Sequence, residues 1–306
     1  MKKSTLKTIR IIVSSVILIS LTLLFTIPTA WICAHLQGLQ TIQWLPAAMA
    51  FSMTICIAWL VVTLIFGRIY CSSVCPLGTV QDISAHLGCR SRARGVTRGW
   101  YHYKTPMSVL RNAVVIITFV SLLVGITFVA SFIDPSSIFH RTCVNILRPI
   151  IHGTPPWVTG TVTGFILSLC LTGVVIVMSW KRGRMWCNTF CPVGTALGYV
   201  SRHAVMRIDI DTDRCTQCRK CEYVCKAECI DLTSHVVDGS RCINCFNCLS
   251  VCDDDAIHYT YTRKQLSIPM MQKINGPKTA ATLDRPASYS TMLKKEVRIR
   301  ILRKKS

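Results

Sequence analysis

Eight cysteines in the last third of the chain follow one spacing, written twice. The stretch CTQCRKCEYVC is followed by CINCFNCLSVC, and each has the form C-x2-C-x2-C-x3-C. Three closely spaced thiolates on a tight loop can bind three irons of a cubane cluster, while the fourth cysteine reaches the neighbouring cube. The pattern therefore predicts two 4Fe-4S clusters, the first bound by Cys215, Cys218, Cys221 and Cys252, and the second by Cys242, Cys245, Cys248 and Cys225.

Two other uses of these cysteines fit the spacing less well. Disulfides belong to oxidising compartments, and the charge pattern described below predicts that this segment is cytoplasmic. A structural zinc site more often uses two C-x2-C pairs held well apart. One departure from the usual motif is that Lys226 and Asp253 stand where a proline normally follows the fourth cysteine. Cys229, outside both motifs, is interpreted as a buried small apolar residue.

A second cysteine pattern also occurs twice. The phrase GRIYCSSVCPLGT at residues 67–79 is repeated as GRMWCNTFCPVGT at residues 183–195, so that C-x3-C-P appears in both. This repetition indicates an internal duplication. Sulfurs four residues apart can face one way on a helix, and the following proline is tolerated only at the start of a new helix. We expect the two pairs to converge into one redox or quinol-linked site made of Cys71, Cys75, Cys187 and Cys191.

The chemistry of that site stays open at this level. Four thiolates suffice for one further cluster, and two close pairs suffice equally for disulfide chemistry. A turn packed with small residues, without any redox role, is the structural alternative.

Four uncharged apolar runs, residues 11–33, 46–66, 113–133 and 158–180, reach the roughly 20 residues that a helix needs to cross a bilayer. Buried core helices are the alternative, and the first run also resembles a signal peptide but is too long for one. The predicted fold is an α-helical membrane protein with four transmembrane helices, a duplicated two-helix unit, followed by a C-terminal α+β two-cluster module. Its strands are expected in the alternating stretches MRIDID and AIHYTY.

Lys and Arg cluster in the loop after the second run and in the segment after the fourth, whereas the other two loops hold almost none. This bias places both termini in the cytoplasm of a multi-pass protein of the bacterial inner membrane. The net charge of +21 is explained largely by these loops and by the tail LKKEVRIRILRKKS, which favours a lipid surface over nucleic acid. The predicted domains are a membrane domain at 1–204, a ferredoxin domain at 205–262 and a basic tail at 263–306.

Several other cofactors have no visible site. All eight histidines lie outside the four runs, so no haem between membrane helices is expected, and no C-x-x-C-H occurs for covalent haem. No GxxxxGKS/T or convincing GxGxxG motif is present for ATP or nicotinamide chemistry.

The apolar runs, the two C-x3-C-P phrases and the two-cluster motif together resemble the NapH/MauN family of membrane ferredoxins over roughly residues 11–261. The resemblance implies a quinol dehydrogenase component that passes electrons from the quinone pool, through ferredoxin or cytochrome c partners, to a periplasmic reductase. CcoG-type proteins are similar in part, which leaves metalloenzyme maturation as an alternative. NosR-type proteins are also similar in part, which leaves redox regulation as another.

Overall fold

The structure is a computed structural model that describes residues 3–27, 29–43, 53–93, 101–125, 127–153 and 162–261. These residues are mostly helical and belong to one compact unit. The predicted basic tail at 263–306 lies outside the described residues. The division at residue 204 stays a prediction, because the described residues on its two sides belong to the same compact unit.

The described part of the first 93 residues contains five helices: α1 (Lys3–Thr26), α2 (Ala30–Thr41), α3 (Met53–Phe66), α4 (Ile69–Ser73) and α5 (Pro76–Ala93). The predicted span at 11–33 is not one helix, because α1 ends at Thr26 and α2 starts anew with Thr29 as its N-cap. The sequence has proline at position 28, and the residue before a proline avoids helical geometry. A single span of the predicted length is therefore wrong at its C-terminal end.

The chain continues with α6 (Ser108–Leu123), α7 (Thr127–Ile133), α8 (Pro135–Thr142), a π-helical turn (Cys143–Leu147), α9 (Arg148–His152), α10 (Val162–Arg182), α11 (Met185–Thr189) and α12 (Pro192–Ser201). The predicted span at 113–133 is also interrupted, since α6 ends before Gly125, which has a φ of 81°. Glycine adopts this left-handed conformation at little cost, so it ends the helix there.

Two helical segments among the described residues, Thr5–Thr26 and Val162–Arg182, are long and apolar enough to cross a bilayer. The segments Met53–Phe66 and Ser108–Leu123 are apolar but shorter. The residues just before α3 and α10, which the predicted second and fourth spans include, lie outside the described part of the chain. Two candidate spans are thus observed, and four remain a prediction.

The C-terminal part is built from short elements: β1 (Met206–Ile210), α13 (Lys220–Tyr223), β2 (Ile230–Asp231), β3 (Val236–Val237), α14 (Asn247–Val251) and β4 (Ile257–Tyr261). The strands β1 and β4 pair antiparallel with Ile208 opposite Tyr259, as their alternating sequences predict. The apolar face of this ribbon packs, through Ile208, Ile210 and Ile257, in one core with the cysteine motifs. The ribbon thereby brings the two motifs, which lie between its strands in the sequence, against a common support.

Candidate functional site

The two C-x3-C-P phrases have the same local structure. Cys71 lies in α4 and Cys187 in α11, and each short helix stops just before the second cysteine of its pair. The next helices begin at Pro76 and Pro192, which confirms that each proline starts a new helix. Each pair therefore sits at a break between two helices.

The four cysteines of these phrases, called the repeat site from here on, are brought together and buried. Their side chains are 4% (Cys71), 4% (Cys75), 2% (Cys187) and 3% (Cys191) exposed, and three of them belong to one apolar core. Burial raises the pKa of Cys75 and of Cys191 well above the ordinary thiol value, and repulsion from Cys187 and Cys71 raises both further. A raised pKa lowers the fraction of thiolate, which is the form that disulfide exchange requires.

Two arginines tie the halves of the repeat site to each other. Arg68, one residue after the glycine of the first phrase, donates from Nη2 to the carbonyl oxygen of Cys187 at 3.3 Å. Arg184, its counterpart in the second phrase, donates from Nη1 to the carbonyl oxygen of Cys71 at 2.6 Å. Both side chains are fully buried. Each repeat therefore completes the cysteine segment of the other.

A glycine after each C-x3-C-P makes room for these crossings. A Cβ atom on Gly78 would lie 2.5 Å from the carbonyl oxygen of Cys71 and 2.6 Å from Nη1 of Arg184. A Cβ atom on Gly194 would be closer still to the carbonyl oxygen of Cys187, and 2.8 Å from Nη2 of Arg68. Backbone cannot move aside as a flexible side chain can, so only glycine fits at either position.

Positive charge exceeds negative charge around the repeat site. Asp82, on α5, pairs with Arg10 at 2.7 Å, with Arg184 at 2.8 Å and with Lys226 at 3.3 Å. Among the described residues Arg68 pairs with no carboxylate: it donates to Asn188 Oδ1 and to the carbonyl oxygen of Ser240, and its Nη2 lies 3.7 Å from Sγ of Cys71. A buried cation without a counter-charge costs several kcal/mol. The surroundings are thus built for an anion.

The same cations control the ionisation of Asp82. Burial by itself would raise the pKa of this carboxyl, but the charges of Arg184, Lys226 and Arg10 outweigh it and hold the pKa well below the usual range. Asp82 is therefore held in its ionised form at neutral pH. It is a fixed charge rather than a proton carrier.

The loops that carry the C-terminal motifs also match each other. In the first motif Gln217 and Arg219 have φ values of 53° and 62°, and in the second Asn244 and Phe246 have φ values of 49° and 60°. These positions lie two and four residues after the first cysteine of each motif. Non-glycine residues adopt this conformation at a cost, and its recurrence at matching positions indicates a functional constraint. A loop curled in this way wraps its cysteines around a common centre.

The first group of four cysteines surrounds a small cavity. Cys215, Cys218, Cys221 and Cys252 all line it, so the fourth cysteine comes from the other motif. Burial raises the pKa of Cys221 to about 12, and repulsion from Cys215, Cys218 and Cys252 contributes to the rise. The residues present therefore fit a cubane with the exchanged fourth ligand.

In the second group, burial raises the pKa of Cys248 well above the ordinary value, with repulsion from Cys245, Cys242, Cys225 and Cys221 adding to it. Cys225 thus lies near the cysteines of the second motif, as the predicted exchange requires. Cys229 lies beside this second cysteine group, with its Sγ atom 3.5 Å from Sγ of Cys225. It is buried, as its sequence interpretation stated, but its contact with a predicted cluster ligand was not foreseen.

Within the described residues no three His, Cys, Asp or Glu side chains converge tightly enough to hold a single metal ion. This finding does not bear on a cubane. In a cubane each cysteine binds a different iron, and the four sulfurs stand further apart than the ligands of one ion.

The C-terminal motifs pack directly on the two repeats. Lys226, which follows Cys225, pairs with Asp82, and its carbonyl oxygen accepts a hydrogen bond of 2.8 Å from the backbone N–H of Arg184. Asn244, in the second motif, donates to the carbonyl oxygen of Phe66 at the end of α3. Cys245 packs against the apolar core that contains Cys71, Cys75 and Cys191. The second cysteine group therefore adjoins the apolar core that contains three cysteines of the repeat site.

Four residues of this region were not singled out from the sequence: Arg68, Arg184, Asp82 and Lys226. The two arginines had a visible signal, because GR precedes both C-x3-C-P pairs. Asp82 had no such signal, because the residue at the matching position of the second repeat is Gly198. The two positions differ because they contact different loops of the C-terminal part. Asp82 pairs with Lys226, whereas an added Cβ on Gly198 would lie 2.5 Å from the carbonyl oxygen of Ser240.

Comparison with known protein families gives two matches in this chain. The family described as "4Fe-4S binding domain" matches residues 48–96 and again residues 163–210. These are the two repeats with the C-x3-C-P phrases, and the C-terminal motifs lie outside both matches. The repeats are thus similar to sequences whose family description names 4Fe-4S binding, and the double match supports the duplication.

Curated relatives have matching names. The chain is 27% identical to the "Methylamine utilization ferredoxin-type protein MauN" of Methylobacillus flagellatus over 52% of this chain and 48% of that protein. It is 29% identical to MauN of Methylorubrum extorquens over 52% of this chain and 47% of that protein. It is 28% identical to the "Ferredoxin-type protein NapH" of Escherichia coli over 67% of this chain and 63% of that protein.

The matched stretch spans about half the length of the MauN proteins and somewhat more of NapH. No solved structure matches the chain. The resemblance to the NapH/MauN family that the cysteine motifs indicate is confirmed by the family match and by these relatives together, which are all ferredoxin-type or 4Fe-4S proteins by description.

Proposed function

We propose that this protein is a membrane electron-transfer subunit that oxidises quinol and passes the electrons through iron-sulfur clusters to redox partner proteins, and through them to a periplasmic reductase. The observation that carries the proposal is the packing of Cys245 against the core of the repeat site. This contact joins the cysteines nearest the apolar helices to the C-terminal cysteine groups. Electron transfer from the apolar helices to a soluble partner requires cofactor sites that follow one another closely.

The repeat site, in this proposal, holds a third 4Fe-4S cluster. A cubane bound by four thiolates is anionic, whereas four thiols or two disulfides are neutral. Only the anion supplies the counter-charge that Arg68 lacks and that Asp82 alone cannot give to Arg10, Arg184 and Lys226 together. Metal binding also removes the protons that burial would otherwise keep on these sulfurs.

The first cysteine group is the proposed exit. Cys218 is exposed, while Cys245 and Cys248 of the second group are more enclosed. A soluble partner can approach a cluster closely only where it reaches the surface. The second cluster then lies between the repeat site and the exit.

Both termini and both C-x3-C-P phrases are proposed to face the cytoplasm, as the distribution of Lys and Arg indicates. Reporter fusions at Lys104 and at the C-terminus should report a cytoplasmic location, and a fusion at His152 a periplasmic one. A periplasmic C-terminus would contradict the proposal, because the cysteine motifs would then lie beside the reductase.

The function is tested by quinol-dependent reduction of the purified, anaerobic protein. Wild-type clusters should be reduced by a quinol, and the Cys75→Ser and Cys191→Ser variants should each lose that reaction while dithionite still reduces the two C-terminal clusters. The double variant should be no worse than either single one, because the four cysteines act as a unit. Clusters that dithionite reduces but no quinol reduces would refute quinol oxidation and favour a role in maturation of another metalloenzyme.

Iron content tests the third cluster separately. About twelve irons per chain are expected in the wild type, and about eight in a variant with all four repeat-site cysteines replaced by serine. About eight irons in both proteins would refute the third cluster.

A further inference from the structure

Two cavities flank the N-terminal part of α1. One, the β4 cavity, is lined mainly by apolar side chains, among them Ile9, Trp59, Phe66, Val74, Phe246 and Tyr259. The other, the α5 cavity, lies on the opposite side of α1 and is lined by Ile11, Asp82, His86 and Tyr101 among others. Both open where helices with exposed apolar side chains meet the C-terminal part.

The β4 cavity touches both cysteine systems. Ser73 and Val74, which line it, stand between Cys71 and Cys75 in the sequence. Phe246 and Leu249, on its other wall, follow directly after Cys245 and Cys248. A molecule in this cavity is therefore within short reach of the repeat site and of the second cysteine group at once.

Tyr259 supplies a polar group in this apolar space. Its hydroxyl donates to the carbonyl oxygen of Phe66 at 2.8 Å, which leaves the hydroxyl oxygen free to accept. An unused acceptor in an apolar cavity matches a small ring that carries a hydroxyl group.

We propose that the β4 cavity binds the headgroup of the quinol, with its apolar tail lying along the exposed apolar side chains of α3. This inference rests on the proposed function and locates its substrate. The Tyr259 oxygen accepts a hydrogen bond from a quinol hydroxyl.

Oxidation of one quinol breaks two O–H bonds and releases two electrons and two protons. The iron-sulfur clusters supply one-electron acceptors, so the two electrons leave in two transfers that each reduce one ferric iron to ferrous iron. The protons leave through the mouth of the cavity, where His258 and the exposed Asp255 face solvent.

The α5 cavity is less suited to this substrate. Among its charged groups, Asp82 is paired with Lys226 and with Arg10, which lines both cavities, and the Tyr101 ring is almost completely buried. It does not reach the segment between Cys71 and Cys75. It provides an internal control for the β4 cavity.

Photolabelling of the intact wild-type protein in lipid vesicles with an azido-quinone tests the site without turnover. Label is expected on peptides from α3, α4 and residues 246–259. Label on α5 or on Tyr101 would overturn the inference and assign the headgroup to the α5 cavity. Label spread over lipid-facing side chains, without preference for either cavity, would show that lipid fills both, and would also overturn it.

Matched substitutions on α1 test it by kinetics. Ile9 and Ile11 are 49% and 42% exposed and line different cavities, the β4 and the α5 cavity respectively. Ile9→Trp fills the β4 cavity and should slow quinol-dependent cluster reduction about tenfold, with dithionite reduction and iron content unchanged. Ile11→Trp should leave the rate as in the wild type.

The outcomes separate the site from the function. An equal effect of both substitutions, or a larger effect of Ile11→Trp, overturns the β4 cavity while quinol oxidation stands. Absence of quinol-dependent reduction in the wild type would instead overturn quinol oxidation itself, and with it this site.

Discussion

Arg68 and Arg184 occupy matching positions of the two repeats, and each donates a hydrogen bond to the backbone of a cysteine in the other repeat, Arg68 to Cys187 and Arg184 to Cys71. The exchange makes the repeat site a joint product of both halves. Neither half can form its part of the site alone, because its cysteine segment is held by a side chain from its counterpart.

Replacing Arg68 should remove the anion that it faces. In Arg68→Met the repeat site loses its unpaired buried cation, and iron content should fall from about twelve to about eight per chain. The Arg68→Lys variant keeps the charge but not the two-pronged geometry, and should retain part of the additional iron. Arg202→Met, which changes an exposed arginine after α12, is the control and should keep all the iron. Full iron in Arg68→Met would contradict the counter-charge argument.

The two glycines of the repeat site should not tolerate alanine. Gly78→Ala and Gly194→Ala each place a methyl group against a cysteine carbonyl oxygen, and each should lower the free energy of unfolding by about 1–3 kcal/mol. Gly173→Ala in α10 meets nothing within 4 Å and should leave stability unchanged or slightly higher. Thermal unfolding of the three variants in detergent measures the difference. Equal stability of all three variants would contradict the close approach of Gly78 and Gly194 to the cysteine carbonyl oxygens.

The exchange of fourth ligands can be read from paired variants. Cys252→Ser should disturb the same cluster signal as Cys218→Ser, and Cys225→Ser the same signal as Cys245→Ser, because Cys252 lines the cavity of the first motif and Cys225 lies among the cysteines of the second. Electron paramagnetic resonance of the reduced variants distinguishes the two clusters. The reverse pairing would show that each motif binds its own cluster.

Cys229 should tune the second cluster without binding it. Its thiol lies 3.5 Å from Cys225, and a hydrogen bond to a ligand sulfur stabilises the reduced, more negative cluster. Cys229→Ala should therefore lower the midpoint potential of the second cluster in a redox titration and leave the first unchanged. Cys143→Ala, at a buried cysteine of a separate apolar core, is the control. Loss of the second cluster in Cys229→Ala would instead identify Cys229 as a ligand.

Asp82 should matter far more than an acidic residue in an exposed pair. Asp82→Asn leaves three cations without their carboxylate, and should lower the free energy of unfolding by about 3–5 kcal/mol at neutral pH. The folded pKa of Asp82 is below the unfolded value of about 3.9, so its contribution is complete above pH 4 and declines only in stronger acid. Asp253→Asn, at an exposed pair with Lys220, should leave stability essentially unchanged. Similar unfolding curves for the two variants would contradict the central role of Asp82.

The sequence by itself determined the parts of this protein that depend on local spacing. Ligand intervals, the helix starts at Pro76 and Pro192 and the alternation of β1 and β4 are all set within a few residues, so they are visible without the fold. The repetition of GR before both C-x3-C-P pairs was equally visible. The sequence does not predict, however, which carbonyl group each arginine binds. The helix breaks near Thr26 and Gly125 were missed because hydropathy does not register backbone geometry.

Only the tertiary structure decided how the cysteine systems meet. The placement of Lys226 on Asp82, of Asn244 at the end of α3 and of Cys245 against the repeat-site core depends on contacts between residues more than a hundred positions apart. Such contacts arise because the chain buries apolar surface and pairs buried charges across the whole fold, and no spacing rule encodes which pairs will form. The excess of buried positive charge, which favours a cluster over disulfides at the repeat site, appears only when those distant residues are together.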